Sequence, residues 1–227
     1  MARRPARESV TKPIDPSLPD REKIIAAFMA LLAERPFEEI GLNDIAGRAG
    51  TSLVAIRTEF GSKIAILAAH AKELDRKVLS GQAPDMADEE PRERLFDVLM
   101  RRLEAMASER AAIRSLLRSA MFDPPLALAL NSIGVRSQQW MLAAAGIDTA
   151  GPGGMLRAQG LAILFARVLR TFVDDDEDNA RTMAALDREL DRGGRMLRMY
   201  EGLCRLTPFG RPRRRRREDD GDEMAAA

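Results

Sequence analysis

Residues 42–60, LNDIAGRAGTSLVAIRTEF, limit the possible folds more sharply than any other stretch of the chain. Leu42 to Ala49 has the spacing of a short helix. Gly50 can take a positive φ without steric cost, and Ser52 stands where a second helix, running to about Phe60, needs a cap. Ala46 and Ala49 are small enough to let two helices cross closely. Ile45, Leu53 or Val54, and Ile56 offer apolar anchors. A unit of this kind lets its second helix project from the protein into a DNA major groove about 12 Å wide.

The rest of the chain reads as helices built around that unit. Pro5, Pro13, Pro16 and Pro19 keep residues 1–19 extended, and Asp20 is a good cap for a first helix carrying Ile24, Ile25, Phe28, Leu31 and Leu32, which Pro36 closes. Ser62 caps a longer helix with Ile64, Leu67, Ala71, Leu74 and Val78. Residues 80–91, SGQAPDMADEEP, form a linker of turn formers and acids. Beyond it, further helices carry Leu95, Phe96, Leu99, Leu103 and Met106, then Ile113, Leu116 and Leu117. After Pro124 and Pro125 another runs to about Ala145. GIDTAGPGG, residues 146–154, is expected as a loop. Helices from about Met155 to Val173 and from about Asn179 to Leu190 follow, with Gly193 and Gly194 weakening the end and residues 195–206 as a short extra helix. Ala, Leu, Met and Arg abound, and unbranched side chains lose little freedom in helices. With 45% apolar and 31% charged residues, the expectation is an all-α globular protein.

Charge narrows the partners only through its placement, since the formal net charge is +1. Arg3, Arg4, Arg7 and Lys12 make a basic N-terminal arm, which either lies in a minor groove or is simply solvated. Arg211 and Arg213–Arg217, followed by five acids, make a charged tail over 207–227. Cys204 is the single cysteine, so no intrachain disulfide is possible, as suits a reducing cytoplasm. No apolar run approaches the roughly 20 residues of a membrane span, and the basic start lacks the apolar core of a secretory signal. His70 is the single histidine, which removes histidine triads and multi-histidine metal sites and leaves it as a partly exposed filler. Asp174–Asp178 reads as a solvated loop whose last acids favour the next helix start. No phosphate loop, dinucleotide glycine pattern or nucleophile elbow is present, so neither enzyme activity nor a cofactor or metal is expected.

Three motifs together carry a resemblance: the first helix ending AERPFEEI, the central DIAGRAGTS, and FGSK before a long fourth helix. Residues 21–67 resemble the TetR family of transcriptional regulators. The resemblance implies a three-helix helix-turn-helix head over 20–79 with helix four, and an all-helical ligand-binding and dimerisation body over 92–206. It further implies pairing into a homodimer through the helices near 155–173 and 179–192. Thr51 and Ser52 fall at the start of the recognition helix, with Thr58 further along it. Arg57 replaces a family tyrosine that touches phosphate, and can hold phosphate or, bidentately, guanine. Lys63 matches the family's phosphate-binding lysine at the start of helix four. Leu53 and Val54 stand where the family often has lysine and glycine, and Glu59 brings a negative charge to the same face.

In the body, Phe96, Met100, Phe122, Trp140, Met141 and Phe165 are the candidate ligand contacts, because flexible methionines and aromatic rings suit an adaptable apolar pocket; the same residues can equally be core. Gln138, Gln139 and Gln159 either orient such a ligand or face water. The segments WMLAAAGI, LRAQGLAILFARVLRTFVDDD and ARTMAALDREL resemble a second TetR-fold group, the lipid-binding accessory proteins of ubiquinone biosynthesis, which have lost DNA binding. Two expectations follow. The first is a cytoplasmic dimeric repressor that binds a double-stranded DNA operator and is released by a small apolar effector. The second is a lipid-binding accessory protein without DNA activity. Neither implies integral membrane association.

Overall fold

Two packed cores that share helices organise the chain. The computed structural model describes residues 14–81 and 88–206, with 196–206 by backbone alone. The basic arm at Arg3, Arg4 and Arg7, the centre of the 80–91 linker and the tail after Leu206 lie outside the described residues.

The N-terminal core is built by α1 (Asp20–Glu34), α2 (Leu42–Ala49), α3 (Leu53–Glu59) and the first half of α4 (Lys63–Ser80). Ile24, Phe28, Leu32, Ile45 and Ile66 are completely or almost completely buried there. Each side chain of this size contributes about 1.5–3 kcal/mol on burial. Asp20 is the first residue of α1 rather than its cap. Pro19 occupies the cap position with no side-chain bond, and Asp20 instead pairs with Lys23 at 3.0 Å. The chain leaves α1 at Arg35 in an extended conformation, the conformation a following proline imposes.

The body contains α5 (Pro91–Ala105), α6 (Arg110–Ala120), α7 (Pro124–Ala144), α8 (Gly151–Phe172) and α9 (Ala180–Leu206). No strand occurs among the described residues. Its core takes Leu74 and Val78 from the second half of α4, with Leu99, Leu103, Met141, Val168, Phe172 and Leu186. α4 is thus shared by both cores, which places the head on a rod that continues into the body.

A second junction runs through α6, which packs along α1. Ala112 of α6 and Leu126 of α7 belong to the N-terminal core. The Phe37 N–H donates to Ser119 Oγ at 3.2 Å, and Ser115 Oγ donates to the Arg35 carbonyl at 3.0 Å. At its other end α6 grips the turn between α8 and α9. Arg110 donates to the Asp175 carbonyl at 2.8 Å and to Asn179 Oδ1 at 2.5 Å, with its guanidinium 4.6 Å from the Phe172 ring centroid. Arg114 donates to the Val173 carbonyl.

Two boundaries differ from the sequence reading. α8 begins at Gly151, inside the expected 146–154 loop, because Pro152 falls in its first turn, where a missing N–H costs nothing. α9 runs unbroken to Leu206 across Gly193 and Gly194, so the expected helix end and separate 195–206 helix are one element. Gly193 serves close packing there: a Cβ would sit 3.3 Å from Leu164 Cδ1 on α8. The acids after α8 are not all solvated either. Asp175 is buried and accepts from the Thr182 N–H and hydroxyl, both at 2.6 Å, and from Arg181 Nε at 2.8 Å. Burial alone would raise its pKa, yet these bonds to the charged form hold it down at about 2. His70 is half-buried and has a partner, with Nε2 at 2.7 Å from Glu109 Oε2.

Candidate nucleic-acid interface

The helix-turn-helix forms for local reasons that can be followed bond by bond. The Gly41 N–H donates to Asp44 Oδ2 at 2.8 Å, which starts α2 and holds the Asp44 carboxyl below its ordinary pKa. Gly50 closes α2 at φ 63°, ψ 34°, a left-handed conformation that disfavours any residue with a Cβ. Ser52 Oγ then accepts from the Ala55 N–H at 3.1 Å and opens α3. Ser62 repeats the device for α4, accepting from the Ala65 N–H at 3.2 Å. Arg48 clamps the unit to α1 through a two-pronged pair with Glu34, at 2.8 and 2.7 Å.

α3 rests on one buried anchor and shows the rest of itself to solvent. Ile56 is buried together with Ile45, Ala46 and Ala49 of α2. Leu53 and Val54 do not act as anchors; they are 47% and 76% exposed. Beside them stand Ser52, Arg57, Thr58 and Glu59, all exposed. A helix face left exposed in this way by the described residues is what a groove reader needs.

The predicted contacts occupy that face unequally. Arg57 has no hydrogen-bond or ion-pair partner among the described residues. Thr51 is half-buried at the turn, and its N–H donates to the Ala46 carbonyl at 3.0 Å. Thr58 Oγ1 is turned back onto its own helix, donating to the Val54 carbonyl at 2.9 Å. Lys63 faces inward more than the sequence suggested. Its Nζ donates to the carbonyls of Phe37 and Ile40, at 2.9 and 2.7 Å, and lies 4.1 Å from the Phe37 ring centroid. Desolvation lowers the pKa of this lysine, with Glu38 opposing the shift. Sequence reasoning missed Arg21 of α1. It sits 3.5 Å from Glu59 and stacks 4.8 Å from the Phe60 ring centroid, so the acid on this face has a cation beside it. No periodic signal could have found it, because the two residues meet only once α1 and α3 are packed.

The six candidate ligand contacts do not converge. Met100, Met141 and Phe165 are buried in the body core, and Phe96 packs against it half-buried. Phe122 lies at the α6–α7 corner, 82% exposed, and Trp140 of α7 is 60% exposed. A polar group runs through the same interior. Arg102 donates to the Asp75 carboxylate, which also accepts from Ser137 Oγ at 2.7 Å, and all three residues are buried. Of the three glutamines noted above, Gln138 is buried with no partner for Oε1 among the described residues, and Gln159 exchanges hydrogen bonds with Asn131 at 3.0 and 3.1 Å. No described helix is long and apolar enough to cross a membrane.

Known proteins agree with this architecture. Residues 24–70 match the family model described as bacterial regulatory proteins, tetR family. Among solved structures, a TetR transcriptional regulator from Nitrosomonas europaea is 23% identical, with a TM-score of 0.59 over 78% of this chain and 99% of that one. A TetR transcriptional regulator from Rhodococcus sp. RHA1 is 19% identical, with a TM-score of 0.53 over 77% and 95%. A transcriptional regulator from the same Rhodococcus is 22% identical, with a TM-score of 0.51 over 76% and 94%. No match was found among curated proteins. The resemblance read from the three motifs is supported by sequence in the head, and the TetR fold is supported by structure over most of the chain.

Proposed function

We propose that this TetR-fold chain is a homodimeric, DNA-binding transcriptional repressor that a small ligand releases from its operator. The observation that carries the reading is the outer face of α3: it is open along its length and bears Arg57 with no partner inside the described protein. An unpaired guanidinium on a projecting helix is suited to a phosphate or to the paired acceptors of guanine. Thr51, Ser52 and Thr58 would approach bases from the same helix. Lys63 has two of its three ammonium N–H donors committed to Phe37 and Ile40, which leaves one for a phosphate at the start of α4. The Glu59 charge is countered by Arg21.

Pairing is supported by the exposed apolar residues Leu156 and Ile163 of α8 and Met183 of α9. Two copies joined there would present two α3 helices to successive major grooves, about 34–36 Å apart. Release would follow from a ligand that favours a different head spacing. Of the six residues read as ligand contacts, Trp140 is the one that lines a groove, Met100, Met141 and Phe165 fill the body core, and Phe96 packs against it. The lipid-accessory alternative draws no support from α3, whose open face has no use in it.

The test is a gel shift of the dimer on fragments from its own upstream region at moderate salt. A discrete, competition-resistant band that Arg57→Ala weakens supports the reading. Binding that is equal for all fragments removes it.

A further inference from the structure

A groove of about 690 Å³ lies between α4 and α7 and ends against the head. Its size falls in the range of small-molecule sites, roughly 300–1,000 Å³. Ala65, Ala68 and Ala71 of α4 line it, and Trp140 of α7, 60% exposed, stands beside them. Small side chains along one helix and an indole on the other leave room for an apolar body.

The charged lining is one-sided. Lys72, Arg76 and Arg136 border the groove. Lys72 and Arg76 have no partner among the described residues, and Arg136 donates only to the Ser132 carbonyl of its own helix, at 3.3 Å. The two acids in the lining are both matched, Glu59 by Arg21, which lines the groove beside it, and Asp75 by Arg102 outside it. Three cations without a carboxylate partner among the described residues, around an apolar trough, complement a molecule that is apolar along its length and anionic at one end.

We infer that this groove binds an amphipathic organic anion, with its apolar body along the α4 alanines and against Trp140 and its carboxylate or phosphate among Lys72, Arg76 and Arg136. Charge-assisted contacts to guanidinium groups would fix the head group. The groove also touches Phe60 and Gly61, the turn between α3 and α4, so the occupant would bridge body and head. That last consequence rests on the regulator reading above; the binding itself does not.

Trp140 is the only tryptophan in the chain, so its emission reports this groove without a label. Full-length protein is titrated with decanoate, decyl phosphate and uncharged decanol. The expected result is a saturable shift in emission with at least one of the two anions, and roughly tenfold weaker binding of decanol. The stronger anion identifies the head group. The double variant Arg76→Ser with Arg136→Ser should weaken the anion about tenfold, and Ala68→Leu should block the apolar body, with unchanged circular dichroism in both. Equal binding of decanol, no saturable change with either anion, or indifference to both variants overturns the proposal. None of these measurements uses DNA, so a failed gel shift and a failed titration remain separate results.

Discussion

Arg57 on α3 and Arg110 on α6 carry the same group and live in opposite surroundings. Arg110 is engaged at both terminal nitrogens: it donates to the Asp175 and Asp176 carbonyls and to Asn179 Oδ1 and stacks on Phe172, and only its buried Nε has no partner among the described residues. Arg92, Arg114 and Arg181 are held similarly by carboxylates and carbonyls around α9 and the turn before it. There, cations are cross-braces whose charge is consumed within the fold. On α3 the cation is left over. A charged side chain that the described fold does not use is free to meet a partner, and that difference separates the proposed DNA-facing surface from the frame of this protein.

The largest effects of substitution are expected in the body. Asp75→Ala leaves buried Arg102 without its carboxylate and Ser137 without an acceptor. Denaturant unfolding should show a loss of about 3–5 kcal/mol, the scale for orphaning one member of a buried pair. A loss under about 1 kcal/mol would mean that this carboxylate is not a brace.

Asp175 gives the next effect and a pH signature. Its folded pKa of about 2 lies below the ordinary 3.8, so its stabilisation is complete above pH 4 and disappears as pH falls through 2. The shift corresponds to about 2 kcal/mol. Asp175→Asn should cost about that much at neutral pH and flatten the stability profile between pH 4 and 2. A variant that retains the wild-type slope would contradict the assignment.

Arg57→Ala should behave in the reverse manner. Unfolding stability should stay within about 0.5 kcal/mol, as for a surface change, while operator binding should lose about 1–3 kcal/mol by fluorescence anisotropy. Glu59→Gln should give the smallest change, a gain in DNA affinity below about 1 kcal/mol with little change in stability, since its pair with Arg21 is exposed. A clear drop in affinity would show that Glu59 contacts a base donor.

What could be read from the sequence follows the range of the interactions involved. The turn at Gly50 and the caps at Ser52 and Ser62 act within three or four residues, so the helix-turn-helix was legible with nearly correct bounds. The continuity of α9 was hidden because Gly193 answers to Leu164 on another helix, and an isolated reading sees only a weak helix former. Lys63 was placed correctly on α4, but the carbonyls of Phe37 and Ile40 that turn its ammonium inward come from the 3₁₀ turn Phe37–Glu39 and the residue that ends it, more than twenty positions away in sequence. The ligand set scattered for the same reason. Residue type marks methionine and aromatic rings as suitable for a pocket, whereas the face each presents is decided by packing between α5, α7 and α8.

The central claim is that the open face of α3 reads DNA through Arg57. A footprint of full-length protein on its own upstream region tests it most directly. The account predicts two protected major-groove stretches one helical turn apart, about 10–10.5 base pairs, that vanish with Arg57→Ala. Uniform protection without a preferred sequence, or a footprint that Arg57→Ala leaves intact, would contradict it.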